Sequence, residues 1–260
     1  MNRRDGTVAD LMTFLNVGYL SDLDELSDED TSDVADRVSE LLYDQVVGAV
    51  DLAGLEVVEV GCGPGGGSAY LARAHHPASL VGVDINKKMI DWCRERHLAS
   101  NLRFLQGDAQ DLPIASDSVD VIVNVESSHC YPSRARFFQE VARVLRPGGS
   151  FLIADAIFGD LDKKGSDLVS AQLRSAGLRI EDCVDISENA LAARDAVSRS
   201  RNFQLRTEKL PSLMMPFVEE SLCLKGTRIY EMMVSRQIRY MRWRALKPAE
   251  LATPSSAERS

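Results

Sequence analysis

A glycine-rich segment after an apolar run carries the clearest chemical signal in this sequence. Residues 57–68 read Val-Val-Glu-Val-Gly-Cys-Gly-Pro-Gly-Gly-Gly-Ser, which predicts a buried strand, a tight turn and the start of a helix. Glycine allows the sharp turn and lets a ligand approach where a Cβ would clash. The N–H groups at a helix start can bind a polar group. We therefore expect the backbone at Gly61, Gly63 and Gly65 to approach a ligand.

A second acidic residue follows Glu59 of this segment by about two dozen residues. The apolar run 79–84 ends on Asp84, and a carboxylate there can accept hydrogen bonds from both hydroxyls of a ribose. Gly61, Gly63 and Gly66 also satisfy the dinucleotide pattern G-x-G-x-x-G, which is weak evidence alone. Both a nicotinamide dinucleotide and S-adenosylmethionine fit these residues.

Other residues near the glycine-rich segment and after Asp84 decide between a nicotinamide dinucleotide and S-adenosylmethionine. Glu59 lies just before the glycines, and Gly-Asp-Ala at 107–109, an apolar strand at 119–124 and Leu-Arg-Pro-Gly-Gly at 145–149 follow in order. With these landmarks the chain resembles the class I S-adenosylmethionine-dependent methyltransferases over about 54–155. The alternatives are a nicotinamide-dependent oxidoreductase, a cofactor-binding protein without transferase activity, and a glycine loop that only turns the chain.

The resemblance implies S-adenosyl-L-methionine as cofactor and S-adenosyl-L-homocysteine as product. Asp84 is then expected at the ribose, Ile85 on the adenine face and Asp108 with Ala109 at adenine N6. Asn124 is expected at the methionine end. The cofactor-binding residues expected on this basis are Tyr19, Glu59, Gly61, Gly63, Gly65, Asp84, Ile85, Asp108, Ala109 and Asn124.

Two of these residues keep alternative interpretations. Glu59 either faces the positively charged cofactor or orders the glycine loop through hydrogen bonds. Asn-Val-Gly-Tyr at 16–19 resembles an arm motif of many small-molecule methyltransferases. The Tyr19 ring then either closes over the sulfonium, with a cation–π attraction, or anchors the arm through apolar packing.

The segment Glu-Ser-Ser-His-Cys-Tyr-Pro at 126–132 follows the fourth strand, where the reacting end of the site is expected. Histidine titrates near neutral pH, so His129 can remove a proton from an acceptor hydroxyl. Alternatively, His129 only shapes the pocket wall. Glu126 is the second candidate, as the base or as the partner that fixes the histidine tautomer.

The same segment, with the downstream F-x-x-E-V-x-R-V-L-R-P-G-G, resembles actinobacterial lipid and polyketide O-methyltransferases. Phthiotriol and fatty-acid methyltransferases are two examples of these. The resemblance implies O-methylation of a hydroxyl on a small, largely apolar secondary metabolite, in pathways that include antibiotic biosynthesis. The alternative is C- or N-methylation of an aromatic or prenylated natural product, with cyclisation coupled to it.

Composition limits the partners. The net charge of −9 argues against nucleic acid and against an anionic membrane surface. No apolar run is long enough to span a bilayer, and the N-terminus lacks the apolar core of a signal peptide. Five scattered cysteines indicate reduced thiols and no metal site. We expect a cytoplasmic enzyme with an apolar small-molecule acceptor; a homo-oligomer is left open.

The elements expected to position these residues alternate between strand and helix. An amphipathic helix is predicted at 33–50, followed by strands and helices in turn. This alternation predicts a Rossmann-like α/β fold with a mostly parallel, seven-stranded sheet and helices on both faces. The first six predicted strands are Leu55–Val60, Leu80–Asp84, Leu102–Leu105, Val119–Val125, Ser150–Ala154 and Leu178–Ile186.

The last strand and the segment before it complete the predicted organisation. Apolar residues change phase near Tyr240, which predicts a final strand with a bulge at 240–241. We expect 1–50 to be an arm and helix covering the cofactor, 51–186 with 237–247 to be the cofactor-binding core, 187–236 to be a helical substrate lid between the last two strands, and 248–260 to be a disordered tail.

Overall fold

Seven strands form one sheet in the computed structural model, which describes residues 13–22, 34–159, 164–200, 208, 213 and 215–249. The strands are β1 (Glu56–Val60), β2 (Ser79–Asp84), β3 (Leu102–Gln106), β4 (Val119–Val125), β5 (Leu145–Phe158), β6 (Arg179–Asp185) and β7 (Ile238–Leu246). Their order is β3-β2-β1-β4-β5-β7-β6. Only β7 runs antiparallel to its neighbours among these pairings. The predicted, mostly parallel sheet is confirmed.

Helices connect the strands and cover both faces of the sheet. They are α1 (Val34–Val47), α2 (Gly66–Ala74), α3 (Lys87–Arg96), α4 (Arg134–Val144), α5 (Lys164–Ser175), α6 (Ser187–Arg199), α7 (Met215–Ser221) and α8 (Arg228–Val234). The central strands are apolar on both faces because each face packs against helices, as parallel sheets require. Two large buried clusters of apolar side chains result, one on each face.

Local backbone and side-chain chemistry sets where the helices begin. Gly65 adopts a left-handed conformation with φ 78° immediately before α2, which glycine tolerates. The Asn86 side chain accepts from the N–H groups of Lys88 and Met89 at 3.1 and 3.3 Å, and it thereby caps the start of α3. Helix α2 is the next element after β1, and helix α3 is the next element after β2.

The carboxyl ends of the central strands are tied to one another by the loops that follow them. Gly61 N–H donates to Val83 O at 2.8 Å, and Gly107 N–H donates to Asp84 O at 3.0 Å. Glu126 N–H donates to Ala154 O at 2.9 Å. The residues that follow β1, β2, β3 and β4 are therefore held along one edge of the sheet, where ligands bind in open α/β folds.

The predicted bulge at Tyr240–Met241 is wrong. Strand β7 pairs with β5 in unbroken register from Ile238 opposite Phe158 to Leu246 opposite Ser150. The apolar phase changes because Tyr240 packs in the cluster on one face of the sheet and Met241 in the cluster on the other. Strand β7 lies between β5 and β6, and both of its faces are covered. Strands that are buried on both faces lose the simple alternation of apolar and polar residues.

The remaining differences between the predicted and the observed structure concern the lengths and ends of individual segments. Strand β5 begins at Leu145, earlier than predicted, because Leu145 pairs with Val119 before the register shifts. In the part of 187–236 that the structure describes, the chain forms α6, α7 and α8. Most of the predicted tail, 250–260, lies outside the described residues. Within the described ranges, no helix has the length and apolar character needed to cross a membrane.

Candidate active site

A pocket of about 370 Å³ opens at the carboxyl ends of β1, β2, β3 and β4. Its wall combines residues predicted from the sequence with the arm stretch Thr13–Asn16 and the side chain of Tyr43. The predicted residues that line it are Gly61, Gly63, Asp84, Ile85, Asp108, Ala109 and Glu126. The others, Tyr19, Glu59, Gly65, Asn124 and His129, lie around it without lining it.

The three loop glycines differ in what a side chain would meet. A Cβ on Gly61 would lie 2.2 Å from Ser127 Oγ, so that glycine is needed for packing within the protein. A Cβ on Gly65 would lie 2.9 Å from Cys93 Sγ and 2.9 Å from the Phe104 ring. A Cβ on Gly63, where φ is 50°, would have Leu15 Cδ1 as its nearest neighbour at 3.8 Å. Gly63 therefore faces open space at the pocket.

Glu59 is buried beneath the glycine loop, with a relative exposure of 1%. Its Oε1 accepts from the Tyr43 hydroxyl at 2.5 Å, and its Oε2 accepts from the Ser68 hydroxyl. Burial raises the pKa of Glu59 to about 7, although both hydroxyls oppose this shift. Of the two interpretations given above, this geometry corresponds to the one in which Glu59 orders the loop.

Asp84 presents its carboxylate to the pocket at the end of β2. One oxygen accepts from Gly63 N–H at 3.0 Å and the other from Asn86 N–H at 2.8 Å. Because each carboxylate oxygen has more than one acceptor site, both can still accept from a ligand. Ile85 follows with 66% of its surface exposed and lines the same pocket, so an apolar face adjoins the carboxylate.

The turn after β3 brings a second acid to the pocket. Asp108 is exposed, and its Oδ1 accepts from Gln110 N–H at 2.8 Å. Ala109 beside it is buried and contributes an apolar wall. The turn therefore offers a carboxylate with free acceptor capacity next to a small apolar surface.

Asn124 lies behind the pocket and is fully buried. Its Nδ2 donates to Val60 O at 2.8 Å and approaches Ser127 Oγ at 2.7 Å and the Tyr131 hydroxyl at 3.0 Å. Ser127 and Tyr131 both line the pocket. Asn124 therefore positions two residues of the pocket wall, which the sequence analysis did not identify as site residues.

The position of Tyr19 corresponds to the second of its two interpretations, in which the ring anchors the arm through apolar packing. The Tyr19 backbone donates to Val38 O at 2.9 Å, and its side chain packs against the core. Phe14 and Tyr43 instead line the pocket, with ring centroids 6.2 Å apart. Phe14 stands in the same apolar segment as Tyr19, and only the path of the arm distinguishes them.

The motif at 16–19 attaches the arm to the reactive segment. Asn16 Oδ1 accepts from Gly18 N–H at 2.9 Å, and Val17 N–H donates to Glu126 Oε1. Glu126 has a positive φ of 49°, a conformation that costs energy for a non-glycine residue and often marks functional sites. Burial raises the pKa of Glu126 to about 7, against the opposing effect of nearby donors and cations.

His129 forms a dyad with Asp155, a residue that the sequence analysis did not select. His129 Nδ1 lies 2.5 Å from Asp155 Oδ1, and His129 N–H donates to Asp155 Oδ2 at 2.9 Å. Asp155 is 1% exposed and also accepts from the Ser128 hydroxyl and from Ala156 N–H. A carboxylate within the apolar run Phe-Leu-Ile-Ala-Asp-Ala-Ile-Phe was the available signal.

The carboxylate sets both the tautomer and the basicity of the imidazole. With Nδ1 bonded to Asp155, Nε2 is the nitrogen left to accept a proton. Burial lowers the pKa of His129, but the hydrogen bond and charge of Asp155 outweigh it, so that the net shift is upward. The flanking residues Glu126 and Cys130 line the pocket, and His129 adjoins the Phe158 ring at 5.7 Å between centroids. The dyad can therefore act as a base beside an apolar surface.

Comparisons with known proteins agree on one family. A family described as "Methyltransferase domain" matches residues 58–153. Phthiotriol/phenolphthiotriol dimycocerosates methyltransferase from Mycobacterium tuberculosis is 37% identical over 235 residues, which cover 89% of this chain and 84% of that protein. Fatty-acid O-methyltransferase from Mycolicibacterium smegmatis is 49% identical over 147 residues, 56% of this chain and 54% of that protein.

Solved structures show the same fold at low sequence identity. The [4+2]-cyclase SpnF has a TM-score of 0.69 at 20% identity and covers 91% of this chain and 88% of its own. A putative sarcosine dimethylglycine methyltransferase from Galdieria sulphuraria has a TM-score of 0.72 at 18% identity, with 90% and 94% covered. Both align over about nine tenths of this chain.

Proposed function

The chain belongs to the S-adenosylmethionine-dependent methyltransferases, and we propose that it methylates a hydroxyl of a small, largely apolar metabolite of lipid or polyketide type. The names of the relatives, which specify phthiotriol-type lipids and fatty acids, support this class of acceptor. Such products belong to secondary metabolism, including antibiotic biosynthesis. The His129–Asp155 dyad is the observation that supports transfer to oxygen.

The pocket accommodates the parts of S-adenosylmethionine through residues of different chemistry. Asp84 would accept from the ribose hydroxyls, and Ile85 would pack on the adenine face. Asp108 and Ala109 would hold the adenine edge. The open space at Gly63 admits the amino-acid end, with Gly61, Gly65, Glu59 and Asn124 maintaining the loop and wall around it. The bound cofactor supplies an electrophilic methyl group on a positively charged sulfur.

The acceptor hydroxyl requires loss of its proton as its oxygen forms the bond to the methyl carbon. His129 Nε2 takes that proton, and Asp155 stabilises the imidazolium through Nδ1. S-adenosylmethionine would supply the methyl group with its sulfur as the leaving atom, and the protein's main contribution would be to position the acceptor oxygen, which can supply much of the rate enhancement. General-base assistance of this kind typically contributes about 10² to 10⁴ in rate.

Two flanking regions complete the proposed enzyme. The described part of 1–50 would cover the cofactor, since Phe14 and Tyr43 line the pocket. The described part of 187–236 would form the acceptor lid, which accords with the exposed Phe217, 66% accessible, in α7. Phe158, 55% accessible next to His129, offers a further apolar surface to an acceptor.

The dyad is tested by replacing each of its members. His129→Ala should lower kcat by about two to four decades and leave S-adenosylhomocysteine affinity within about twofold. Turnover requires unprotonated His129, so kcat rises as pH passes its pKa. Asp155→Asn removes the carboxylate that raises this pKa, so the acid limb should move to lower pH while kcat falls. Methyl transfer to a panel of long-chain alcohols and phenols, followed by mass spectrometry, measures both effects.

The control for these variants is His76→Asn. His76 is exposed and has a positive φ of 48°, a conformation that asparagine also tolerates. It should keep wild-type kcat and the wild-type pH profile. Near-normal turnover of His129→Gln with an unchanged acid limb would place proton removal elsewhere, and Glu126 would be tested next.

A further inference from the structure

Arg194 is a buried cation whose hydrogen-bonding capacity is largely unused. It lies in α6 with 2% of its surface exposed. Nη1 donates to Leu222 O at 3.2 Å, while Nε and Nη2 are buried without a hydrogen-bond partner. Unpaired buried charges are costly, and buried donors in native proteins are nearly always satisfied. Two free donors on one guanidinium therefore suggest a missing anionic partner.

A second unsatisfied donor lies on the same small cavity. Asn16, 9% exposed, uses Oδ1 for Gly18 N–H but leaves Nδ2 without a partner. Asn16 and Arg194 both line a cavity of about 10 Å³, together with Phe14. Phe14 and Asn16 also line the main pocket. This stretch of the arm therefore adjoins both the small cavity and the main pocket.

The structure itself does not supply the missing anion. No acid among the described residues lies within 4 Å of the Arg194 guanidinium in an ion pair. Glu126 acts on Arg194 electrostatically, together with Tyr240 and Cys223, and its Oε1 accepts from Val17 N–H. Asp36 also lines the small cavity. Neither carboxylate forms a hydrogen bond with Nε or Nη2 of Arg194.

The backbone provides space for the guanidinium. Gly18 has a φ of 74°, and a Cβ there would lie 2.8 Å from Val38 Cγ2 and 2.9 Å from Arg194 Nη2. The glycine of the Asn-Val-Gly-Tyr motif therefore allows the arm to pass over both side chains. Helix α6 follows β6, at the end of the sheet opposite β2 and β3. Arg194 is consequently on the acceptor side, away from the Asp84 side.

We propose that Arg194 and Asn16 form a carboxylate subsite that binds an acidic group of the acceptor when Phe14 moves aside. This inference rests on the proposed function and narrows its substrate class to apolar acceptors that carry a carboxylate. A carboxylate matches the planar donor geometry of a guanidinium. Its arrival removes the uncompensated charge and satisfies both side chains. The long apolar part of the acceptor remains in the main pocket.

The subsite is tested by binding, without methyl transfer. Octanoate and 1-octanol are titrated calorimetrically into the protein saturated with S-adenosylhomocysteine. The wild-type protein should bind octanoate at least about tenfold more tightly than 1-octanol, because a charged hydrogen bond is gained. Arg194→Gln should remove that preference, leaving affinity for 1-octanol and for S-adenosylhomocysteine within about twofold. The control Arg199→Gln, at the exposed end of the same helix, should retain the preference.

A measurement on the unmodified protein covers the case in which Arg194→Gln does not fold. The Arg194 Nε–H resonance should shift on addition of octanoate and remain in place with 1-octanol. Equal affinity for the two ligands in the wild-type protein, or no shift of this resonance, would overturn the subsite. Methylation of neutral long-chain alcohols with normal dependence on His129 would then still support the proposed function. If the protein preferred octanoate but had no transferase activity, the carboxylate subsite would be supported and the proposed function would be contradicted.

Discussion

The cofactor side and the acceptor side of this pocket satisfy their polar groups in different ways. On the cofactor side, Glu59 accepts two hydroxyl hydrogen bonds, and Asp84 accepts two backbone hydrogen bonds. On the acceptor side, Arg194 and Asn16 each bury donors without a partner. The carboxylates of the cofactor side have their partners before any ligand arrives, although Asn124 Oδ1 is buried without one. The acceptor side has spare donors, which accords with the proposal that the acceptor supplies part of the binding site.

The two sides also differ in how far apart their residues are in the sequence. The glycine loop and Asp84 lie within one strand-turn-helix-strand unit, so that backbone geometry alone brings them together. The acceptor side joins Asn16, Glu126, Asp155 and Arg194, which belong to an arm, two strand ends and a late helix. Its geometry depends on long-range packing, and we expect single substitutions there to have less predictable structural effects.

The largest effect is expected at Gly63, where we expect the glycine loop to approach the cofactor. If the loop did not approach the cofactor, the contrast between the cofactor side and the acceptor side would not hold. Gly63→Val places a branched side chain in the open space at the pocket, and we expect affinity for S-adenosylhomocysteine to fall by more than about a hundredfold. Gly54→Val is the matched control, because Gly54 has a φ of 74° with no neighbour within 4 Å of its Cβ. Both variants carry similar backbone strain, so calorimetry and thermal unfolding together separate a clash with ligand from loss of fold.

A smaller effect is expected from Asp84→Ala. Loss of a charged hydrogen bond costs about 1.5–3 kcal/mol, so affinity for S-adenosylhomocysteine should fall by about tenfold to a hundredfold. Part of this loss is indirect, because Asp84 also holds Gly63 N–H. Titration with adenosine and with homocysteine separates the contributions. An unchanged adenosine affinity would contradict the proposed ribose contact.

The sequence was informative where function is encoded by backbone geometry and by strand ends. The succession of strands along the chain, the mostly parallel sheet and the residues around the glycine loop follow from local patterns. The acid Asp84 and the segment containing His129 both lie just past strands, and the structure brings them to the edge of the sheet that contains the pocket. Such positions can be inferred because parallel strands end on the same side.

Long-range pairings could not be inferred in the same way. The partnership of His129 with Asp155 requires the register of β4 against β5, and the burial of Arg194 requires the packing of α6 under the arm. The bulge predicted at Tyr240 was wrong because phase along one strand does not reveal how many of its faces are covered. The ring of Phe14 rather than that of Tyr19 lines the pocket for a similar reason, namely the path of the arm.

The smallest effect is expected in the pH dependence of stability that Glu59 produces on the cofactor side. Its pKa is raised to about 7 in the folded protein from an ordinary value of 4.5, because burial disfavours the charged form. The folded state therefore binds the proton more tightly than the unfolded state does. The resulting stabilisation is fully present below about pH 4.5 and is lost as pH rises through about 7.

Replacing Glu59 should flatten this part of the stability curve. Each pKa unit corresponds to about 1.4 kcal/mol, and relaxation of the loop reduces the full amount, so we expect Glu59 to lower the free energy of unfolding by about 1–2 kcal/mol between pH 5 and pH 8. Urea unfolding at several pH values should show a shallower decrease for Glu59→Gln. Ser68→Ala removes a hydroxyl that lowers this pKa and should move the decrease to higher pH. If the unfolding free energy changed with pH in the same way in the wild type, Glu59→Gln and Ser68→Ala, the buried Glu59 carboxylate would not be the titrating group. The argument that the hydrogen bonds of Glu59 are formed before the cofactor binds would then lose its main support.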